Sequence, residues 1–394
     1  MEKTNMQRKI SSSAFVLVLT IFLNGCGHKT IDKAKTTYVQ SGTSDILNDG
    51  HISKKNDTDI NDGKDIFDSV DILDDIDISD DTVSFIDAID DRVTIRKRPE
   101  RVVCLYDSYL ELWDLAGGKV IGRVESKRTV PEPSKDAEVI GKTGAASIEK
   151  IIALEPDLVI LSPTMNGQNN LIDMLKQNKI SYIAIKYQNV MEYLKVLKIF
   201  TELTGRNDLY IKNGVEVVNR VKEIVFKVAE SNRIINGDGA EVNGTVNNEL
   251  ENNSNERKTI KILLLFATSR GITVKLPNSS VGSMLEDLGT MNIASGLAGG
   301  FGVLDAETQI FSLEKIIEEN PDFIFVESMG GTVQETKNMI DTELGKNNAW
   351  NSLDAVRNCR LIYLEKELYT YKPNTRYPEA YEKLARTLYP EVFR

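Results

Sequence analysis

Short apolar runs alternate along this chain with stretches whose apolar positions return every three or four residues. From residue 101 the pattern predicts a strand at Arg101–Leu105 and a helix at Ser108–Ala116 closed by Gly117-Gly118. A strand at Val120–Arg123, a helix at Ser147–Leu154, a strand at Leu158–Leu161, a helix at Asn170–Asn178 and a strand at Tyr182–Ile185 follow. Strands that are apolar throughout, separated by helices, imply a parallel sheet covered on both faces. Two helices come next, Val190–Leu203 and a longer one from Leu209 to about Ala229. At 1.5 Å per residue the second would span roughly 30 Å, enough to bridge two lobes. The alternation then restarts with strands at Ile260–Phe266, Phe323–Val326 and Leu361–Leu364, and helices at Ser283–Leu288, Ser312–Glu319 and Glu379–Leu388. A small hairpin is expected ahead of all this, Val83–Phe85 with Arg92–Ile95 across Asp90-Asp91.

One phrase occurs twice. Ser147-Ile148-Glu149-Lys150-Ile151-Ile152 leads to Pro156-Asp157-Leu158-Val159-Ile160, and Ser312-Leu313-Glu314-Lys315-Ile316-Ile317 leads to Pro321-Asp322-Phe323-Ile324-Phe325, 165 residues further on. Each copy reads as a short helix, a Pro-Asp turn and a buried strand, so the second half is expected to copy the first. The period is too long for a solenoid and indicates two similar lobes, each presenting a glutamate at the same point of its surface.

The amino terminus is of a different kind. Lys3, Arg8 and Lys9 precede a nearly apolar stretch from Ala14 to Leu23, which stops at Leu23-Asn24-Gly25-Cys26 and is too short to span a bilayer. Residues 41–91 then hold sixteen aspartates, three lysines and no glutamate, a net charge of −13. Residues 92–394 sum to only −2, so the overall −11 belongs to this stretch and not to the fold. Such like charges resist packing, and residues 26–82 are expected to form a disordered acidic tether. A calcium loop is not expected, because the ligand order and terminal glutamate of such a loop are missing. Residues 231–258, rich in Asn, Gly and Glu, read as an exposed or disordered insertion. Besides Cys26 the cysteines are Cys104 and Cys359. They could pair, or remain as two buried free thiols.

Both histidines, His28 and His51, precede the body. This argues against a histidine-built zinc or manganese site and removes Ser-His-Asp and Cys-His hydrolases. There is no nucleophile elbow, Walker sequence or dinucleotide loop before a helix, so an enzyme is not expected. A near-neutral body without a basic stripe does not suit nucleic acid.

Several motifs in order carry a family resemblance: Lys97-Arg98-Pro99-Glu100-Arg101-Val102-Val103, Leu115-Ala116-Gly117-Gly118-Lys119-Val120-Ile121-Gly122-Arg123, both copies of the repeated phrase, Trp350, Cys359-Arg360-Leu361-Ile362-Tyr363-Leu364 and Leu388-Tyr389-Pro390-Glu391-Val392-Phe393. Over about residues 83–394 the chain resembles the substrate-binding lipoproteins of bacterial ABC importers for iron-siderophores, haem and cobalamin. The resemblance implies an α/β fold of two Rossmann-like lobes joined by one long helix, with the ligand cleft between them. It divides the chain into a lipoprotein signal peptide (1–25), the tether (26–82), an N-terminal lobe (83–189), connecting helices (190–230), the insertion (231–258) and a C-terminal lobe (259–394). It implies lipidation of Cys26, a monomer held by its lipid at the outer face of the cytoplasmic membrane, and permease and ATPase partners. Glu149 and Glu314 map onto the two glutamates that dock on permease arginines. No cofactor is expected; the cargo would be an iron complex.

Ligand contacts are expected on loops after the strands. In the first half these are Tyr106, Ser108, Tyr109, Thr143, Met165 and Tyr187; in the second, Arg270, Phe301, Met329, Tyr371, Arg376 and Tyr377. Aromatic rings and two arginines suit a ferric chelate with anionic groups better than a bare metal ion. Haem without a histidine ligand stays open through tyrosine, methionine or a carboxylate, as do oxyanions, while cobalamin is less favoured because Trp113 and Trp350 sit in structural motifs.

Overall fold

Val102 and Cys104 face one side of their strand, Val103 and Leu105 the other, and all four are buried. The same alternation recurs at Leu158 and Ile160 against Val159 and Leu161, and at Ile262 and Leu264 against Leu263 and Leu265. Period-two burial on both faces is what a sheet between two layers demands. A computed structural model of the protein describes residues 73–126, 128–165, 167–236, 259–295, 308–309 and 312–394. The expected leader, Cys26, most of the tether, most of the insertion and Phe301 lie outside these.

The described chain opens with a three-stranded antiparallel sheet, β1 (Asp77–Ile78), β2 (Thr82–Ile86) and β3 (Arg92–Arg96). The hairpin is as expected, but β1 lies within the stretch assigned to the tether. It pairs with β2, and just ahead of it Asp75 meets Lys195 at 2.7 Å. Two specific anchors thus offset the charge repulsion of the last acidic residues.

The first large sheet is built from β4 (Val102–Cys104), β5 (Gly122–Arg123), β6 (Glu138–Val139), β9 (Leu158–Leu161) and β10 (Tyr182–Ala184), in the order β10-β9-β4-β5-β6, with every pairing parallel. Between these strands come helix α1 (Asp107–Leu115), the hairpin β7 (Gly141–Lys142) and β8 (Ala145–Ala146), α2 (Ile148–Ala153) and α3 (Asn169–Gln177).

α4 (Val190–Thr204) ends on Gly205 in the left-handed region, φ 75°. The long connecting helix begins earlier and ends later than its apolar stripe suggested. α5 (Asn207–Tyr210), a π turn (Ile211–Val215) and α6 (Glu216–Asn236) follow without a break, so helix enters the first residues of the expected insertion. The π turn has a local cause. A Cβ on Gly214 would lie 2.9 Å from both Leu194 and Leu197, so the backbone there rides directly on α4. The displaced Asn213 backbone carbonyl accepts from the Tyr193 hydroxyl, and the Asn213 side-chain Nδ2 donates to the Leu115 carbonyl at 2.7 Å.

The second sheet contains β11 (Lys261–Thr268), β12 (Gly271–Lys275), β13 (Met291–Asn292), β14 (Thr308–Gln309), β15 (Phe323–Ser328) and β16 (Leu361–Tyr363). Its order is β14-β12-β11-β15-β16, with β13 beside the start of β11. The β11-β15-β16 portion is parallel, but β12 runs antiparallel to both neighbours. The second half is therefore not a plain copy of the first. Gly271, at φ 118°, reverses the chain straight after β11 in a conformation that favours glycine. Its helices are α7 (Ser280–Asp287), α8 (Leu313–Glu319), α9 (Val333–Glu343), α10 (Asn348–Ser352), α11 (Asp354–Arg357), α12 (Lys366–Tyr369) and α13 (Tyr377–Leu388).

The inner faces of both sheets share one apolar cluster with α1, α4, α6, α7 and α13. The outer face of the first sheet is closed by α2 and α3, and that of the second by α8 to α11. Cys104 is buried and free. Cys359, expected buried in the two-thiol reading, is free and exposed. Among the described residues no helix is long and apolar enough to cross a membrane.

Candidate functional site

The parallel strands of both sheets end in loops, and helices returning across the sheet begin at that same edge. Ser108, Tyr109, Tyr187 and Tyr377, expected at a ligand surface, are interior instead. Tyr109 is 2% exposed and donates to the Ile185 carbonyl at 2.6 Å. Ser108 accepts from the Lys372 amide at 3.4 Å, while its carbonyl accepts from the Asn374 side chain at 3.2 Å. Tyr187 donates to Asn374 Oδ1 at 2.6 Å. Tyr377 packs between Tyr193 and Tyr381, with ring centres 5.3 and 6.4 Å away. These contacts fasten the segment after β16 to the loops after β4 and β10. Position after a strand marks the edge but does not say which way a side chain points.

The other candidates remain accessible. Tyr106 is half-buried, edge-on to Tyr109 at 4.8 Å. Thr143 is exposed at the tip of the β7–β8 hairpin, whose Gly144 carbonyl presses on Gly167 in the loop carrying half-buried Met165. Arg270 is exposed on the β11–β12 turn and makes no ion pair among the described residues. Met329 is 51% exposed and, with Ala267, Thr268, Gly330 and Met339, lines a shallow depression at the ends of β11 and β15. Arg376 is exposed but engaged, donating to Glu379 at 2.8 and 3.2 Å. Arg376, with Lys383, holds the Glu379 carboxyl down at about 2. It forms a surface ion pair on α13.

Sequence reading passed over Arg128. This residue, in the long loop after β5, pairs with Glu111 of α1 at 2.8 Å and with Glu367 of α12 at 3.4 Å, and lies 5.1 Å from the centre of the Tyr371 ring. Burial pushes the Glu111 carboxyl up, against the pull of Arg128. Burial likewise raises Asp107, opposed by a hydrogen bond from Ser126 and the charges of Arg128 and Arg123. No sequence signal marked Arg128, because its partners lie in two other segments. Nearby, Lys372 donates to Gln188 Oε1 at 2.5 Å.

Glu149 and Glu314 lie apart from these loops, on the outer-layer helices α2 and α8, and their surroundings match. Ser147 caps α2, accepting from the Lys150 amide at 3.2 Å and donating to Glu149 Oε2 at 2.7 Å. Ser312 caps α8, accepting from the Lys315 amide at 3.5 Å and donating to Glu314 Oε2 at 2.5 Å. In each case the serine, followed by the glutamate's own backbone amide, holds an exposed carboxyl below its usual range. Each stays ionised at neutral pH, in one preferred orientation.

A profile for periplasmic binding proteins matches residues 102–368, from the first residue of β4 into α12. The chain belongs to this family. The match takes in both large sheets of this periplasmic binding protein and stops short of α13. Among its relatives is the uncharacterised ABC transporter substrate-binding lipoprotein YvrC of Bacillus subtilis, 25% identical over 79% of this chain and 87% of YvrC. The iron(3+)-hydroxamate-binding protein FhuD of B. subtilis is 32% identical over 31% of this chain and 37% of FhuD. In fold the chain resembles the crystal structure of S. aureus IsdE complexed with heme, at TM-score 0.58 and 19% identity, covering 73% of this chain and 98% of IsdE. These relatives are binding proteins.

Proposed function

We propose that this periplasmic binding protein is the extracytoplasmic receptor of an ABC importer, a lipoprotein anchored through Cys26, which captures a ferric chelate and delivers it to a permease. The observation that carries the delivery role is the serine-braced pair Glu149 and Glu314. Two ionised carboxylates with the same local geometry on two outer helices suit a partner with two separated cations, since charge-assisted pairs at two points fix orientation. The two sheets would be the cores of two lobes, with the segment up to Leu73 as signal peptide and tether.

Tyr106, Thr143, Met165, Arg270, Met329 and Tyr371 remain as ligand contacts, on loops at the carboxyl edges of both sheets where α/β proteins bind solutes. The name of FhuD supports an iron-chelate cargo. A second reading, haem, is favoured by Met165 and Met329, two thioethers on loops of opposite halves and available as axial ligands in a body without histidine.

The test is quenching of the buried Trp113 and Trp350 in the mature chain by ferric hydroxamate, ferric catecholate, haem and cobalamin. Binding of a ferric chelate below about 1 μM, with haem and cobalamin much weaker, is expected. Tight binding of haem alone would transfer the assignment to the second reading, and no binding by any of the four would sink both.

A further inference from the structure

Arg128 stands where the two halves meet. It follows β5, whose end lies at the carboxyl edge of the first sheet. Glu367 and Tyr371 follow β16, at the carboxyl edge of the second. The guanidinium is held unequally. Glu111 grips Nη2 at 2.8 Å with a carboxylate only 29% exposed, and the Tyr371 ring supports it at 5.1 Å. Glu367 approaches Nε at 3.4 Å with a side chain 62% exposed. The first two contacts hold the guanidinium from two sides. The third is the longest of the three, and its carboxylate partner is the solvated one.

We propose that Arg128 is an anion-recognition residue of the ligand site, oriented by Glu111 and Tyr371, and that an anionic group of the ligand displaces Glu367 from it. This rests on the chelate reading above and adds to it a selectivity for anionic over neutral chelates. An arginine fork donates to two oxygens in its plane, so a carboxylate or catecholate can make a paired contact where Glu367 makes one long one. The exchange trades one negative charge for another at Nε, beside the Nη2 that Glu111 engages. Glu367 is then a gate: it occupies the guanidinium until a ligand of the same sign replaces it, and a neutral ligand has nothing with which to compete.

The experiment measures quenching titrations of the mature chain with a trianionic ferric tris-catecholate and a neutral ferric trihydroxamate. Glu367→Gln removes the competitor at an exposed position without disturbing the fold. It is expected to tighten the catecholate about three- to tenfold and leave the hydroxamate within about twofold. Arg128→Gln is expected to weaken the catecholate at least about tenfold. If the wild-type protein binds the catecholate and Glu367→Gln leaves that affinity unchanged or weaker, the Arg128 assignment is overturned while the chelate reading stands. If the wild-type protein binds neither ferric probe, the chelate reading falls and takes this proposal with it. Should Arg128→Gln fail to fold, the sign of the Glu367→Gln effect decides alone.

Discussion

The Tyr187 hydroxyl donates to Asn374 Oδ1 at 2.6 Å, joining the loop after the last strand of the first sheet to the segment after the last strand of the second. Both residues are fully buried, so each polar atom depends on the other. Tyr187→Phe strands the Asn374 oxygen and should cost about 1–3 kcal/mol in urea unfolding. Asn374→Ala should cost more. It also loses the bond to the Ser108 carbonyl and places alanine at φ 52°, where asparagine is better tolerated. Equal, near-zero losses for both would show that the contact is dispensable.

Asp287 supplies a pH signature. Burial pushes its carboxyl up to about 6, against a hydrogen bond donated by Tyr381 at 2.5 Å. The folded state thus holds the proton more tightly than the unfolded state. The stability this contributes is fully present below the unfolded value near 4 and is lost as pH rises through about 6. Asp287→Asn keeps an acceptor for Tyr381 without the charge. It should raise stability at pH 7 by on the order of 2 kcal/mol, discounted for partial exposure, and leave it nearly unchanged at pH 3.5. Thermal melts at the two pH values check the difference; a gain at both would assign the effect to packing.

Charge reversal at both docking candidates, Glu149→Lys with Glu314→Lys, should leave ligand titrations unaltered and stop import into cells. The pair is exposed on the outer layers, so stability should change little. Normal uptake by the double variant would exclude the docking role.

The two thiols of the folded body should differ in reactivity. Burial pushes the Cys104 thiol up to about 12, so almost no thiolate is present at pH 8, whereas Cys359 is exposed. Brief alkylation at pH 8 followed by peptide mapping should label Cys359 and spare Cys104. Equal labelling would mean that the β4 region opens readily.

Local features were the legible ones. The repeated phrase places helix, turn and strand within fourteen residues, so the sequence alone located both glutamates on short helices, and the structure adds the serine caps. The strands with apolar residues at every position were equally plain. What failed was side-chain direction. Tyr109 and Tyr187 follow strands at the solute-binding edge, yet their hydroxyls are taken up by Ile185 and Asn374, partners 76 and 187 residues away. Arg376, counted among the ligand contacts, is held by Glu379 one helical turn on. The short strands β12 to β14 and the helices α9 to α12 are set by pairing within the second sheet and packing against it, not by strong periodicity of their own. Arg128 is the same case at the level of function.

The apolar cluster shared by the inner faces of both sheets bears on how the protein comes apart. Helices α4, α6 and α13 belong to the same packed interior as β4 and β11, so removing either half uncovers apolar surface on the inner face of the sheet that remains. Excised halves should aggregate or stay molten, and the intact body should melt in one cooperative step, as a single folding unit carrying two sheets.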